Sequence, residues 1–486
     1  MYKRQDFSKS GVKGIKLDEK SETTLFEIFM KQAYGIRNVL ATALIMAIFW
    51  ITEALPIPVT AMLPFILFPL LGIASPTRIA LPGYFKAYSP YMHHLVVLFI
   101  GGFTIAEAMK RWNLHKRIAL HFIKLIGFSP KRIMFGLMVA TAFISMFISN
   151  TATTAMMMPI ALAILLSSGE KPAESKFGKA VMLGIAYSAS IGGIGTLIGT
   201  PPNLILAGFA DTLLGVKITF AGWLVIGLPL VIVLLPLTYF LLLRIFRFEG
   251  LKVLHSKEVI ENKLKELGKL RSGELNTLII FILVALMWIL SKQLRIWLHL
   301  PWLNDSVIAI IGVLLFYIVP VDVKNWKFTL DWETNVKIPW GTLLLFGGGL
   351  ALGTALDRTG GAAFIASYLG GIGNFSIIFI LFLVVILMDF LTEITSNTAS
   401  TNMMLPILFA IGISTQHNPL VLMIGGAVAA SMAFMLPVAT PPNAIVYGTG
   451  YIRINDMVKA GFILDIIAAC TWVCILYLLR PIICAL

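Results

Sequence analysis

The sequence has few charged residues and few cysteines. Asp, Glu, Lys and Arg together make up 13% of its 486 residues, whereas a soluble protein of this size exposes far more charge. A water-soluble globular fold is therefore excluded. The three cysteines, Cys470, Cys474 and Cys484, all lie near the C-terminus. We interpret them as small packing residues of a membrane helix, since this pattern does not support a disulfide framework.

Motifs for enzymatic chemistry are also missing from the sequence. It contains no phosphate-binding loop, no nucleophile elbow and no Cys/His cluster with metal-ligand spacing. His93 and His94 flank a predicted helix start, and we do not interpret them as a metal site. The first 36 residues are polar and lack the pattern of a cleaved signal peptide. The sequence thus predicts no cofactor, and it disfavours ATP-driven transport and membrane enzymes.

Hydrophobic residues, by contrast, are abundant: they make up 58% of the chain, and its mean hydropathy is +0.89. A bilayer core about 30 Å thick needs roughly 20 apolar residues per spanning helix. Stretches of this kind lie near 38–54, 57–75, 93–109, 178–198, 222–246, 274–291, 305–320, 339–356, 420–439 and 459–479. Two further apolar regions, 133–168 and 375–412, are too long for one span. We predict an all-α, multi-pass protein of the cell membrane.

The formal net charge is +14, and the basic residues are densest in two segments. Residues 110–132 contain seven Lys or Arg and no acid, and residues 244–271 contain eight against four acids. Cytoplasmic loops of membrane proteins carry such an excess, so both segments are predicted to lie inside. This explains the positive charge without a nucleic-acid partner, and we expect none.

The chain carries the same motifs twice, in the same order. Their spacings are 247, 247 and 240 residues for LFIGGFTIAEAM (98–109) and LFGGGLALGTAL (345–356), SNTATTAMMMPI (149–160) and SNTASTNMMLPI (396–407), and TPPN (200–203 and 440–443). Internal repeats in a membrane protein are typical of transporters. Counting spans from the basic loop 244–273, the first GG helix ends inside and the second ends outside. The two repeats are therefore predicted to be inverted.

Each repeat has two features that interrupt its apolar helices. The Ser-Asn-Thr tripeptides at 149–151 and 396–398 divide the two long apolar regions, which predicts re-entrant hairpins with polar tips at mid-membrane depth. The TPPN motifs place two prolines in apolar helices, and these prolines remove backbone donors and unwind the helix. Freed carbonyls can coordinate sodium, and a new helix N-terminus can face an anion.

The motif regions contain no basic side chain. Residues 133–168 and 180–210 have no charged residue, and between Thr359 and Gly450 the only charges are Asp389 and Glu393. A buried dianion without compensation is prohibitively costly. If the substrate is anionic, cations must bind with it, and hydroxyl, amide and carbonyl oxygens suit sodium. Asp389 and Glu393 are either functional or structural, or lie near the outer interface; these alternatives remain open.

The doubled SNT motifs, the TPPN breaks and the LFxGG helices resemble the divalent anion:sodium symporter family, also called INDY-type or solute carrier family 13 transporters. The likeness extends from about residue 37 to the C-terminus. The resemblance implies sodium-coupled symport of C4-dicarboxylates such as succinate, malate or fumarate. It also implies a homodimer in which each protomer has a scaffold domain and an elevator-type transport domain.

The resemblance further implies particular site residues. Substrate contacts would come from Ser149, Asn150, Thr151, Thr200, Pro201, Ser396, Asn397, Thr398, Thr440 and Pro441. The first sodium site would use Ser145, Ser149, Asn150 and the backbone of Gly199. The second would use Thr392, Thr395, Asn397 and the backbone of Ala439, with Thr395 contributing through its backbone.

Domain boundaries follow from the repeats and the resemblance. We predict a polar N-terminal segment (1–36), scaffold helices (37–92), a first repeat (93–215), linking helices that include the basic loop 244–273 (216–338), a second repeat (339–455) and a C-terminal transmembrane helix (456–486). Family members begin with an additional spanning helix before the segment that matches 38–54. Here the segment 22–36 is a candidate interfacial helix instead, which leaves the N-terminal topology open.

Three other functions are compatible with parts of this pattern. The same fold could carry citrate or sulfate, because the SNT groups can serve several anions. Sodium-independent dicarboxylate exchange is a second alternative. A channel is disfavoured, because the sequence has no polar-lined helix or charged ring typical of a pore.

Overall fold

The computed structural model describes residues 19–73, 86–248, 256–368 and 375–485. Within these ranges, the regular structure is helical apart from one antiparallel strand pair, β1 (Pro320–Asp322) and β2 (Lys327–Phe328). Seven of the described helices are long and apolar enough to cross a membrane. The prediction of an all-α, multi-pass membrane protein is confirmed.

The first half of the described chain contains the first repeat. Its helices are α1 (Glu19–Thr52), α2 (Ile57–Thr60), α3 (Pro64–Leu70), α4 (His94–Arg111), α5 (Leu114–Ile126), α6 (Pro130–Ser145), α7 (Asn150–Ser167), α8 (Lys176–Ile194), α9 (Pro201–Phe209) and α10 (Phe220–Phe246). A 3₁₀ turn at Ser89–Met92 precedes α4, and a π turn at Ala210–Leu214 follows α9.

The second half begins in the basic loop. Its helices are α11 (Ser256–Leu267), α12 (Ser272–Ile289), α13 (Ser291–Trp297), α14 (Asp305–Ile318), α15 (Trp332–Asn335), α16 (Trp340–Thr359), α17 (Gly361–Tyr368), α18 (Ile377–Ile394), α19 (Asn397–Ser414), α20 (Pro419–Ala429), α21 (Pro441–Tyr447) and α22 (Ile454–Ile483).

Two predictions near the N-terminus need correction. The predicted single span over 57–75 is wrong, because α2 ends at Thr60 and α3 begins only at Pro64; a proline removes a backbone donor and cannot continue the preceding helix. The segment 22–36 is not a separate helix, since α1 continues through it into the apolar stretch Gln32–Thr52. Its proposed location at the membrane interface stays a prediction.

Both repeats contain a helix pair interrupted at the Ser-Asn-Thr motif and a helix break at the TPPN motif, whereas the predicted re-entry to mid-membrane depth stays a prediction. The two long apolar regions form the helix pairs α6–α7 and α18–α19, each interrupted at its Ser-Asn-Thr motif. The helices before the TPPN motifs end earlier than predicted, at Ile194 and Ala429 rather than 198 and 439. The unwound segments are therefore 195–200 and 430–440. Buried asparagine side chains, described below, bind the carbonyls that this unwinding frees.

Polar contacts place the basic segments on one side of the molecule. Arg117 forms an ion pair with Glu274 next to the basic loop, and the Trp112 indole donates to the Thr329 carbonyl at 2.7 Å. Arg111 pairs with Asp331 in the segment before α16. Thus α4 ends on the side where α16 begins, so the two GG helices run in opposite directions; that the repeats as a whole are inverted stays a prediction.

The GG motifs allow close helix packing. A Cβ atom on Gly101 of α4 would lie 2.4 Å from the Ala309 side chain, and one on Gly348 of α16 would lie 2.3 Å from the Ala61 carbonyl oxygen. The centre of the larger core is α8, in which nearly every residue is buried. It packs against α6, α7, α10 and α21, so the hairpin tip and the break meet at its C-terminal end.

Candidate functional site

The first hairpin tip connects α6 to α7 through residues 146–149. Ser149 caps α7, and its hydroxyl oxygen accepts from the Ala152 backbone N–H at 3.4 Å. Below the tip, the buried Ser145 hydroxyl lies 2.8 Å from Asn150 Oδ1 and 2.7 Å from the carbonyl oxygen of Ala189 in α8. The tip is thereby connected directly to the broken helix.

The second hairpin tip repeats this arrangement. The buried Thr392 hydroxyl lies 2.7 Å from Asn397 Oδ1 and 2.9 Å from the Ala430 carbonyl oxygen, the first residue of the second unwound segment. Thr392 follows Ser145 by 247 residues, the same spacing as between the SNT motifs. The two halves therefore share a pattern of contacts as well as a sequence pattern.

Each of these clusters has more oxygen acceptors than hydrogens. A serine or threonine hydroxyl has one hydrogen to donate, yet each hydroxyl here contacts both an amide oxygen and a backbone carbonyl oxygen. The hydrogen can satisfy one of the two acceptors. The other acceptor keeps a free lone pair toward this contact, and hydroxyl, amide and carbonyl oxygens grouped in this way can coordinate a hard cation such as sodium.

Glycines bring the first break close to the first tip. A Cβ atom on Gly199 would lie 2.5 Å from the Gly193 carbonyl oxygen and 2.9 Å from that of Met146, and a Cβ atom on Gly193 would lie 2.4 Å from Asn150 Oδ1. Asn150 and Gly199, two of the four residues expected at the first sodium site, thus both lie against Gly193, and Ser145 joins them through its contact with Asn150. At the second break, Ala439 stands where the first has Gly199, and its N–H donates to the Leu436 carbonyl at 3.2 Å.

The asparagines of the TPPN motifs stabilise the unwound segments. The Asn203 amide donates to the carbonyls of Gly193 at 3.0 Å and Thr196 at 2.8 Å. The Asn443 amide donates to those of Ala433 at 3.2 Å and Leu436 at 3.0 Å. Both asparagines are fully buried. Since an unpaired buried carbonyl is costly, these side chains explain how an irregular backbone persists inside the helical core.

The predicted site residues range from buried to exposed, and Ser149, Asn150 and Asn397 belong to both the sodium and the substrate sets. Ser145, Thr392, Gly199 and Ala439 are buried, whereas Ser149 and Thr151 are exposed, and Ser396, Asn397 and Thr398 are partly exposed. Thr200 and Thr440 are buried caps of α9 and α21, and Pro201 and Pro441 are more exposed. The buried residues form an inner layer that can hold cations, and the half-buried Asn150 and Asn397 connect it to an outer layer of hydroxyl and amide groups that can face an anion.

The four helix starts at the site are not equivalent. At α7 the Ala152 N–H is capped by Ser149, but α7 and α19 both begin with residues that keep their backbone N–H, and the positive end of the helix dipole favours an anion there. At α9 and α21 the first two helical residues are prolines, which have no N–H. The hairpin tips are thus the better anion sites, and the proline breaks mainly supply carbonyl oxygens.

Thr395 and Glu393 both contact the polypeptide around the second tip. The Thr395 hydroxyl lies 2.8 Å from the Leu391 carbonyl and also contacts the Ser400 hydroxyl, which agrees with a backbone role for Thr395. The buried Glu393 carboxylate accepts from the N–H groups of Met435 at 2.8 Å and Leu436 at 2.9 Å. Glu393 therefore holds the second unwound segment, which is a structural role.

Sequence reasoning missed several buried polar groups around the site. Asp465 of α22 is as deeply buried as Asp389 of α18, and no carboxylate oxygen of either has a hydrogen-bond partner among the described residues. Ser190 and Ser431, which directly follow Ala189 and Ala430, are also buried without a partner in that part of the chain. The two serines could have been found from their matched positions in the two repeats. Asp465 has no such counterpart, so the sequence gave no indication of its role.

Comparison with known proteins shows similarity along nearly the whole chain. Residues 32–485 match the model of the sodium:sulfate symporter transmembrane region. The chain is 43% identical over 453 residues to the sodium-dependent dicarboxylate transporter SdcS of Staphylococcus saprophyticus, covering 91% of this chain and 86% of the relative. It is 42% identical over 455 residues to SdcS of Staphylococcus aureus, covering 92% and 86%.

Two solved transporter structures have a similar fold at low sequence identity. The Alcanivorax borkumensis YdaH transporter matches with a TM-score of 0.53 and 13% identity, covering 93% of this chain and 98% of that one. Neisseria gonorrhoeae MtrF, described as illuminating a class of antimetabolite efflux pumps, matches with a TM-score of 0.58 and 13% identity, covering 91% and 96%. At this identity the likeness concerns the fold alone.

Proposed function

The chain belongs to the sodium:sulfate symporter family, and from this premise we propose that it is a secondary active transporter that moves C4-dicarboxylates such as succinate, malate and fumarate in symport with sodium. Its family and its similar relatives are transporters rather than enzymes. The observation that carries the proposal is the pair of matched oxygen clusters, Ser145–Asn150–Ala189 and Thr392–Asn397–Ala430, under two polar hairpin tips.

Charge balance supports sodium coupling. The motif regions have no Lys or Arg, so an anion at the tips would have helix N-termini and neutral donors as protein partners. A helix terminus contributes about 0.3–2 kcal/mol. A sodium ion about 4 Å from a carboxylate contributes about 4 kcal/mol at an effective dielectric constant of 20. Two sodium ions in the inner layer therefore outweigh the dipoles and neutralise a dianion.

A dicarboxylate fits the two-fold arrangement of the site. Each hairpin tip offers hydroxyl, amide and first-turn N–H groups, and α9 packs against α19 while α21 packs against α7. The two tips therefore belong to one packed unit, in which each could bind one carboxylate of the substrate. The similar relatives from Staphylococcus are named as sodium-dependent dicarboxylate transporters, which supports the same substrate class here.

An elevator mechanism in a homodimer completes the proposal. The hairpins and the broken helices would move together as a transport domain against a scaffold, and each tip would alternately face the two sides. The opposite directions of α4 and α16 support the inverted repeats that such a mechanism uses. The scaffold would provide the contact between protomers.

The test is succinate uptake into proteoliposomes containing the purified chain. With an inward sodium gradient we expect saturable accumulation of labelled succinate, and with potassium or choline in place of sodium we expect uptake at the level of protein-free vesicles. Collapse of the gradient by a sodium ionophore should stop accumulation. Equal uptake with and without sodium would refute the coupling.

The family description gives a second candidate class of substrate, since it names sulfate. Unlabelled sulfate and citrate should compete poorly with labelled succinate if C4-dicarboxylates are preferred. If either anion competes more strongly than unlabelled succinate, that anion is the preferred substrate, and the proposed sodium sites are unaffected. Counterflow of succinate in the absence of sodium would instead identify dicarboxylate exchange.

A further inference from the structure

Three metal-ligand side chains converge at the start of α4, away from the paired tips. His93 caps α4, His94 is its first residue, and Asp211 lies in the π turn after α9. His93 Nε2 and His94 Nδ1 are 3.3 and 3.8 Å from Asp211 Oδ2. The three ligand atoms all lie within 4.8 Å of one another, which holds for no other His, Cys, Asp or Glu trio in the described residues.

We propose that His93, His94 and Asp211 form a binding site for a divalent transition metal ion of the zinc class. Zinc binds imidazole nitrogens and carboxylate oxygens at about 2.0–2.2 Å, so its tetrahedral ligand atoms are about 3.3 Å apart. The His93–Asp211 pair already has this separation. The remaining pairs need to close by at most about 1.5 Å to reach it, which rotation of the partly exposed imidazoles can provide.

The ligand set and its surroundings favour zinc over the alkaline-earth ions. Calcium and magnesium require mostly oxygen ligands, whereas two imidazoles and one carboxylate suit zinc and its neighbours. Three protein ligands leave the fourth position open for water. A cavity of about 240 Å³ adjoins the cluster and has room for that water; its lining includes His93, the hydroxyls of Ser89, Thr212 and Thr354, and the cationic side chains of Lys86 and Arg358.

The hydrogen bonds of His93 define what metal binding changes. Its Nδ1 accepts from the Leu95 N–H at 3.4 Å, so in the neutral ring the proton is on Nε2, facing Asp211. When a metal ion occupies Nε2, the neutral ring carries its proton on Nδ1. Nδ1 can then no longer accept from the Leu95 N–H, so metal binding breaks this long capping bond. Among the described residues, the Asp211 carboxylate has no polar contact other than those with the two imidazoles, so it is free to bind a metal.

A metal ion here would connect two elements that are far apart in sequence. Asp211 follows α9, the helix that begins at the first TPPN break, whereas the histidines begin α4. The cluster lies at the opposite end of α4 from the basic segment that starts at Lys110 and is predicted to be cytoplasmic. External zinc should therefore fix α9 to α4 and inhibit transport; this consequence rests on the proposed function.

Zinc binding to the purified full-length chain tests the site itself. By isothermal titration calorimetry we expect one zinc ion per chain, without competition from magnesium. His93→Asn keeps a capping side chain and removes the ligand, and Asp211→Asn removes the carboxylate; each should weaken binding at least tenfold. His299→Asn is the matched control, because His299 is exposed and has a positive φ of 54° that asparagine tolerates. Absence of stoichiometric binding, or unchanged affinity in Asp211→Asn, would overturn the proposal.

A transport assay tests the consequence separately. Zinc added outside should reduce sodium-driven succinate uptake by the wild type, a chelator should restore it, and His93→Asn should transport without zinc inhibition. Zinc binding without inhibition would confirm the metal site and refute the coupling between α4 and α9. Loss of sodium dependence in the absence of zinc would refute the proposed function while leaving the calorimetric result intact.

Discussion

Deletion of the Ser145 hydroxyl isolates the contribution of the oxygen cluster under the first tip. Ser145→Ala removes one buried oxygen whose neighbours, Asn150 Oδ1 and the Ala189 carbonyl, lie 2.8 and 2.7 Å away. Thr392→Val makes the same deletion under the second tip and keeps the shape of the side chain. If the clusters bind sodium, both changes should raise the sodium concentration needed for uptake while the protein still folds.

The expected magnitude has two parts. A buried acceptor that loses its donor costs about 1–3 kcal/mol of folding stability. Removal of one group that holds a bound metal ion typically lowers affinity about 10- to 100-fold, which corresponds to about 1.4–2.8 kcal/mol. We therefore expect the half-saturating sodium concentration to rise about 10- to 100-fold, with a smaller change in the rate at saturating sodium.

Initial rates of succinate uptake, measured against external sodium in proteoliposomes, give this concentration directly. Thr141→Val is the matched control, because Thr141 lies one turn earlier in α6, is fully buried, and donates to the Leu137 carbonyl of its own helix at 2.6 Å. The control should keep the sodium dependence of the wild type. If both Ser145→Ala and Thr392→Val keep the half-saturating sodium concentration of the wild type, the clusters do not bind sodium. If the control shifts this concentration equally, the effect comes from lost packing and not from a lost sodium ligand.

The other predictions use the same uptake and stability assays. Asn150→Ala and Asn397→Ala should each abolish sodium-dependent uptake at normal expression, because each removes an amide from a tip, while Cys474→Ala, an exposed cysteine, should be silent; wild-type uptake in both asparagine variants would exclude the sites. Asn443→Ala should lower the thermal unfolding midpoint in detergent, since it leaves two buried carbonyls unpaired at about 1–3 kcal/mol; an unchanged midpoint would contradict its structural role. Gly193→Ala should raise the half-saturating sodium concentration, because the new Cβ would meet Asn150 Oδ1 at 2.4 Å; unchanged sodium dependence would show that this contact relaxes freely.

The hairpins and breaks were predictable because their signals are local. A polar tripeptide inside a long apolar region, and two consecutive prolines inside an apolar helix, each prevent a continuous spanning helix. The repetition of both signals then distinguishes function from chance. The boundaries were less predictable: the sequence placed the ends of α8 and α20 at the prolines, but the helices end at Ile194 and Ala429.

The parts of the site that the sequence did not reveal are mostly backbone atoms and long-range contacts. The backbone carbonyls of Ala189 and Ala430 complete the two oxygen clusters. An alanine in the sequence does not indicate that its carbonyl has such a role. Gly193 approaches Asn150 only after α8 and α7 have packed. The His93–Asp211 contact likewise joins residues 118 positions apart, a separation at which sequence spacing gives no guidance.

The two halves differ in charge, and this difference should order the sodium sites. At a spacing of 247 residues, Glu393 of the second half corresponds to Met146 of the first. Glu393 holds the second unwound segment with a carboxylate, whereas Met146 faces the first break with a neutral carbonyl that accepts from the Thr196 hydroxyl.

A carboxylate next to a cation site strengthens cation binding, so the second site should bind sodium more tightly. Sodium titration without substrate should then show two classes of site, and Thr392→Val should remove the tighter class while Ser145→Ala removes the weaker one. A single class of sites, or the reverse assignment, would mean that the oxygen ligands of each tip set the affinity and that Glu393 serves only to hold the backbone.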